Sequence, residues 1–145
     1  QVGAIVVKDD RIISIGYNGM PSGWDNDCED KNYISDAELL AWLDPSDIIK
    51  RFPFEEVVNG QRKRYALTTK PEVLHAEANA IAKVARSPES AENAVLFVTH
   101  APCIECAKLI YQSGIKQVFY RDNYRSEQGT SFLKQAGINV NKVED

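Results

Sequence analysis

From residue 73 onward the chain switches repeatedly between two hydrophobic periods, and that alternation constrains the fold more than any other feature. Residues 73–86 are Ala-rich, with Ala78, Ile81, Ala82 and Ala85 at helical spacing. Ala94–Thr99 is a short apolar run of strand length. Cys103–Ser113 again has helical character, and Gly114 stands where a C-terminal cap belongs. Lys116–Tyr120 reads as a strand. Ser126 can cap a helix that runs to Ala136 and stops at Gly137, and Ile138–Val143 reads as a last strand. A strand-helix-strand-helix-strand series needs crossover connections between parallel strands, which predicts an α/β fold with helices on both faces of the sheet.

The N-terminal part adds antiparallel strands. Val2–Val7 and Arg11–Gly16 are apolar runs separated by the polar turn Lys8-Asp9-Asp10, a hairpin pattern. Consecutive apolar residues in both runs predict a sheet covered on both faces. The segment Tyr17–Gly23 is rich in turn residues and reads as a loop. A long polar insertion follows, spanning about residues 26–68. Within it, Ser35-Asp36-Ala37-Glu38 is a capping-box pattern, in which the Ser hydroxyl and the Glu carboxylate satisfy free amides reciprocally. Leu39, Leu40, Trp42 and Leu43 would give that helix an apolar face. Asp44-Pro45 ends it, and Pro45 can open another through Ile48 and Ile49. The run Gln61-Arg62-Lys63-Arg64 reads as a solvated basic face. The whole, 1–145, is read as one domain carrying an insertion. Because the first residues already read as a strand interior, further residues are expected before Gln1.

Charge narrows the function classes. The chain has 17 Lys plus Arg against 21 Asp plus Glu, a net charge of −4. Duplex and single-strand nucleic acid binding rest on many phosphate contacts, so a polynucleotide partner is not expected. A small charged metabolite needs only a few local donors. No run approaches the roughly 20 apolar residues of a membrane helix, and no signal peptide is read. The three cysteines are too few and odd in number for a disulfide scaffold, which points to a reducing cytoplasm and to thiols used for metal or catalysis.

Two short pieces carry chemistry. His75-Ala76-Glu77 opens the Ala-rich helix, and Pro102-Cys103-Ile104-Glu105-Cys106 follows a strand and opens the next. Cys103 and Cys106 share one side of a helix's first turn, where unpaired amides and the helix dipole favour thiolates. Pro102 suits the position because it has no amide to satisfy. His75 supplies an imidazole. Three such ligands suit zinc and leave its fourth position to water, which then ionises near neutral pH. Glu77, two residues from His75, is placed to carry that water's proton to a ring nitrogen and to a leaving amine. Hydrolytic loss of ammonia from an amidine-like ring carbon requires no organic cofactor. Other readings are a closed structural site with Cys28 as fourth ligand, a redox Cys pair, and a metal role for His100.

These pieces together form the H-x-E…P-C-x-x-C pattern of zinc deaminases. With Gly16-Tyr17-Asn18-Gly19-Met20-Pro21-Ser22-Gly23, His75-Ala76-Glu77-Ala78-Asn79-Ala80-Ile81 and Ser113-Gly114-Ile115-Lys116, the chain resembles the cytidine deaminase-like superfamily, most closely its deoxycytidylate deaminases. The resemblance covers most of the chain outside the insertion. It implies a three-layer α/β/α sandwich around a mixed five-stranded sheet, one catalytic Zn2+ per chain, and conversion of dCMP to dUMP plus ammonia for dTMP synthesis. It implies substrate contacts from Asn18, Ala76 and Tyr120, and an effector site around Gly19, Met20 and Gly23. That site would take dCTP as activator and dTTP as inhibitor, with Mg2+ on the triphosphate, in a homo-hexamer. Arg121, next to Tyr120 at a strand's carboxyl end, is the cation expected to hold the 5′-phosphate. Members usually begin with a helix before the first strand, which this chain lacks. Residues 29–70 contain no His, so a second, structural zinc is not expected, and Cys28 would be a remnant of one. The competing functions are a free cytidine or deoxycytidine deaminase and a zinc-stabilised module without turnover.

Overall fold

The computed structural model describes residues 2–41 and 44–144. In chain order the elements are β1 (Gly3–Lys8), β2 (Arg11–Tyr17), β3 (Glu29–Tyr33), α1 (Asp36–Ala41), α2 (Pro45–Arg51), β4 (Phe54–Val58) and β5 (Gln61–Thr69). They continue with α3 (Ala76–Ala85), β6 (Val95–His100), α4 (Ile104–Gln112), β7 (Gln117–Asp122), α5 (Gln128–Gln135) and β8 (Asn139–Lys142). They fall into two compact units, Gln1–Trp24 with Leu74–Asp145, and Asp25–Val73. No helix among the described residues is long and apolar enough to cross a membrane.

The first unit is built on a mixed five-stranded sheet of order β2-β1-β6-β7-β8. β1 pairs antiparallel with β2 and β6, and β6, β7 and β8 run parallel. Asp9 and Asp10 both adopt positive φ, 51° and 58°, as the two-residue turn of the β1–β2 hairpin requires. Gly114 and Gly137, at φ of 84° and 83°, end α4 and α5 in the left-handed conformation that closes a helix. At the start of α5, the Ser126 hydroxyl accepts from the Gln128 amide at 3.3 Å, while Glu127 takes the cap position itself.

The core lies on one face of this sheet. Ala4 and Val6 of β1, Leu96 and Val98 of β6 and Val118 of β7 are buried there against Ala76, Ala80 and Val84 of α3, Ala107 and Ile110 of α4, and Leu133 of α5. The connections β6–α4–β7 and β7–α5–β8 step the same way across the sheet. Right-handed crossovers that step in one direction put their helices on one face, and the burial agrees. The mixed five-stranded sheet with its helices is the expected cytidine deaminase-like arrangement, and the face opposite the core carries none of the helices α3 to α5. There Ile15 is 51% and Phe97 42% exposed, and Phe97 stacks on Phe119 at 5.1 Å between ring centres. The expectation of a hairpin covered on both faces is therefore not met among the described residues of this unit.

The second unit is a three-stranded antiparallel sheet of order β3-β5-β4 with α1 and α2. The capping box at α1 forms in full. The Ser35 hydroxyl accepts from the Glu38 amide at 3.2 Å, and the Glu38 carboxylate accepts from the Ser35 amide at 2.9 Å. Trp42 and Leu43, read as part of the apolar face of α1, lie outside the described residues. Pro45 opens α2 behind the Asp44 cap, which accepts from Ser46 N at 2.8 Å. The basic run Gln61–Arg64 opens β5, where Arg64 pairs with Glu55 at 2.6 Å across the β4–β5 hairpin and donates to the Phe52 carbonyl.

Candidate metal centre

His75 is the N-cap residue of α3 and still has extended backbone, φ −76° and ψ 146°. Its ring therefore leaves the helix end and is not packed along the helix. Cys103 is the N-cap of α4, equally extended, and its sulfur accepts from the Cys106 amide at 3.5 Å. Buried Pro102 precedes it, and the Ala101 amide donates to the Asp122 carbonyl at 2.8 Å, which ties the metal loop to β7. Two helix starts, one after a strand and one after a loop, thus converge. The loop is fixed to the same place, because Gly19 and Leu74 exchange both backbone hydrogen bonds just ahead of His75, at 3.2 and 2.8 Å.

The Nδ1 atom of His75 lies 3.5 Å from Cys103 Sγ and 3.4 Å from Cys106 Sγ. All three ligand atoms lie within 4.8 Å of one another. A tetrahedral zinc with bonds of about 2.3 Å to sulfur and 2.0–2.1 Å to nitrogen would hold S and N about 3.5–3.6 Å apart. The two sulfur-to-nitrogen spacings are close to that value. The ligands differ in access: His75 is exposed, Cys103 half-buried and Cys106 buried.

Burial pushes the Cys106 thiol strongly upward in pKa, and the Glu77 carboxylate and Cys103 add to the shift. Glu77, in the first turn of α3 and 5% exposed, is also pushed up, chiefly by burial. Its own backbone amide, the nearby imidazole of His75, a hydrogen bond with Cys106 and the imidazole of His100 oppose that rise. Burial and their mutual proximity thus favour the neutral forms of Glu77 and Cys106, and a cation held by the cluster would reverse that preference.

Other residues read from the sequence take varied places. Ala76 is fully buried beside the site. Asn18 holds the start of β1, its side-chain oxygen accepting from Val2 N at 2.8 Å while its backbone N–H donates to Val2 O at 3.1 Å. Tyr120 lies on the helical face of β7, packed against the core. Strand alternation puts Arg121 on the opposite face, where it lines a cavity of about 540 Å³ with Phe97 and Phe119, and its guanidinium grips Asp122 at 2.8 and 3.0 Å. The structure does not bring Arg121 to the ligand set. Met20 and Gly23 lie farther along the loop, Gly23 at φ 86°. Cys28 is in the second unit, with its sulfur 3.6–3.7 Å from Asn26 oxygens. Asp122 is a residue the sequence reading does not single out. It stands in register with His100 on the neighbouring parallel strand, and the two side chains approach to 3.9 Å. The signal that could have found it is its place at the carboxyl end of β7, the edge where α/β sheets gather ligands.

An imidazole and two thiols converge from two helix starts, with a buried carboxylate beside them, and such a donor set suits zinc. Residues 1–122 match the family described as the cytidine and deoxycytidylate deaminase zinc-binding region, and the chain belongs to that family. Among its relatives, the deoxycytidylate deaminase of Enterobacteria phage T4 is 38% identical over 99% of this chain and 79% of its own length. That of Mus musculus is 34% identical over 98% of this chain and 67% of its own length. Among solved structures, the dCMP deaminase of cyanophage S-TIM5 in complex with dCMP and dUMP superposes with a TM-score of 0.70 at 38% identity, covering 99% of this chain and 81% of that one.

Proposed function

We propose that this chain hydrolyses dCMP to dUMP and ammonia, with one zinc held by His75, Cys103 and Cys106. The observation that carries the reading is the 3.4–3.5 Å sulfur-to-imidazole spacing with Glu77 buried alongside. The substrate is taken from the phage and mouse relatives named deoxycytidylate deaminase and from the cyanophage enzyme that binds dCMP and dUMP. Zinc bound in such a set supplies Lewis-acid activation of water near neutral pH. Glu77 carries one proton of the attacking water to the pyrimidine ring nitrogen and then moves the other, from the new hydroxyl group, to the departing amine, so that the water's two protons end on the ring and in ammonia. The burial of Glu77, at 5% exposed, keeps that exchange away from bulk water. Cys106, the buried ligand, keeps its side of the site dry. Ala76 and Tyr120 form apolar and aromatic walls for a pyrimidine, and the Asn18 side-chain amide, anchored through its oxygen, is directed by β1. The loop holding Gly19, Met20 and Gly23 belongs to the same reading as an effector site for dCTP and dTTP with Mg2+, in a hexamer, on the strength of its sequence pattern. The deaminase domain is the whole chain, with residues 26–68 as an insertion.

The test is turnover of dCMP, deoxycytidine and cytidine by the zinc-loaded chain, read as ammonia release. We expect dCMP to be preferred, chelation to abolish turnover and zinc to restore it, with dCTP raising the rate. Equal or better use of deoxycytidine would make this a nucleoside deaminase. Zinc uptake without turnover of any of the three would make the site structural.

A further inference from the structure

We infer that two glycines, Gly129 and Gly16, are positioning residues of the metal site, each the seat on which one half of the ligand set rests. The inference builds on the zinc reading above. A Cβ placed on Gly129, in the first turn of α5, would lie 2.0 Å from the Pro102 carbonyl oxygen and 2.9–3.0 Å from the carbonyl carbon and oxygen of Cys103. A Cβ on Gly16, in β2, would lie 2.1 Å from the Ala76 carbonyl oxygen and 2.5 Å from the Ala80 amide. Neither glycine has a positive φ, so backbone conformation does not call for glycine at either place. Close approach does. The opposing atoms are main chain, which cannot rotate aside as a side-chain tip can. Ordinary contact with a Cβ begins at 3.4 Å, so even one methyl forces the facing backbone to retreat by more than an ångström.

The two seats divide the site between them. Pro102 and Cys103 are the residue before the first thiol ligand and that ligand itself. Ala76 joins the imidazole ligand His75 to Glu77. A shift of about an ångström exceeds the roughly 0.2 Å within which zinc bond lengths hold. The effect on metal should also run against the effect on the helix. Gly129 lies within α5, and alanine is the better helix former, so local propensity alone favours Gly129→Ala. Weaker metal binding in that variant cannot then be a weaker α5.

The experiment compares zinc-loaded wild type, Gly129→Ala and Gly16→Ala. It follows zinc transfer to a chromogenic chelator, the visible spectrum of the cobalt-substituted protein, and far-UV circular dichroism. We expect Gly129→Ala to release zinc at least tenfold faster and to lose thiolate-to-cobalt charge-transfer intensity with its circular dichroism retained. Gly16→Ala should release zinc faster while keeping the thiolate bands, because its contact bears on the imidazole side. Wild-type release rate and cobalt spectrum in Gly129→Ala overturn the inference alone. Loss of secondary structure together with metal in that variant assigns Gly129 to general packing and also overturns it. A wild-type chain that takes up no zinc overturns the site and the inference together.

Discussion

Replacing Glu77 by glutamine removes one function from the site and little else. Glutamine matches glutamate in size, so the first turn of α3 keeps its packing. Glu77 is outside the set of three ligand atoms, so zinc content should stay at that of wild type. The residue is 5% exposed, which leaves no room for bulk water to take over its proton. A positioned proton carrier contributes on the order of 10²- to 10⁴-fold, or about 2.7–5.4 kcal/mol at roughly 1.36 kcal/mol per decade. Because one carboxylate serves both the ring nitrogen and the amine here, the loss should fall at or beyond the upper end. Removing a carboxyl that burial has pushed up in pKa also removes the cost of ionising it, so Glu77→Gln should not lower the unfolding temperature of the metal-free protein. The assay is ammonia release at saturating dCMP together with metal analysis of the same sample. Activity within a few-fold of wild type would refute the proton-carrier role. Loss of zinc would show that Glu77 helps to hold the metal.

His75→Ala and Cys103→Ser each remove one of three ligands and should lower bound zinc and turnover in parallel, while Cys28→Ser should change neither. If Cys28→Ser strips zinc, the site has a fourth protein ligand. Arg121→Ala should change the rate with dCMP by less than about threefold, since the guanidinium sits on the far face of β7 and is engaged with Asp122. A selective loss of 10- to 100-fold on dCMP, with deoxycytidine unaffected, would return it to the 5′-phosphate, since a charged hydrogen bond is worth roughly 1.5–3 kcal/mol. Leu96→Ala, at a side chain fully buried between β1, β7 and the helices, should cost about 2–5 kcal/mol in denaturant unfolding. A loss below about 1 kcal/mol would mean that the core closes around the gap.

The ligand set is legible in the sequence because its chemistry is local. His75, Cys103 and Cys106 each stand at a helix start that the sequence marks by composition and spacing, and a helix start fixes side-chain direction within a residue or two. The α4 and α5 ends are legible for the same reason, through Gly114 and Gly137. The second sheet is not. β3 and β5 are rich in exposed charged residues, so the alternation that marks a half-buried strand is masked by Glu29, Asp30, Lys31, Arg62 and Lys63. Asn59-Gly60, with φ of 51° and 77°, is a strong hairpin pair that would reveal β4 and β5. Placement relative to a strand face is the other gap. Tyr120 and Arg121 are neighbours in sequence and point to opposite sides of the sheet, and only knowledge of which face carries the helices separates them.

β2 is the outer strand of the five-stranded sheet, and two of its carbonyls are already taken. Asn79 donates to Tyr17 O and Lys83 to Ile15 O, both at 2.8 Å, and both donors belong to α3. An open strand edge is a template for pairing with another chain, and capped carbonyls make it a poor one. The helix that guards this edge also begins at His75. A molecule in which α3 comes loose would therefore lose its metal ligand and bare an aggregation-prone edge in a single event.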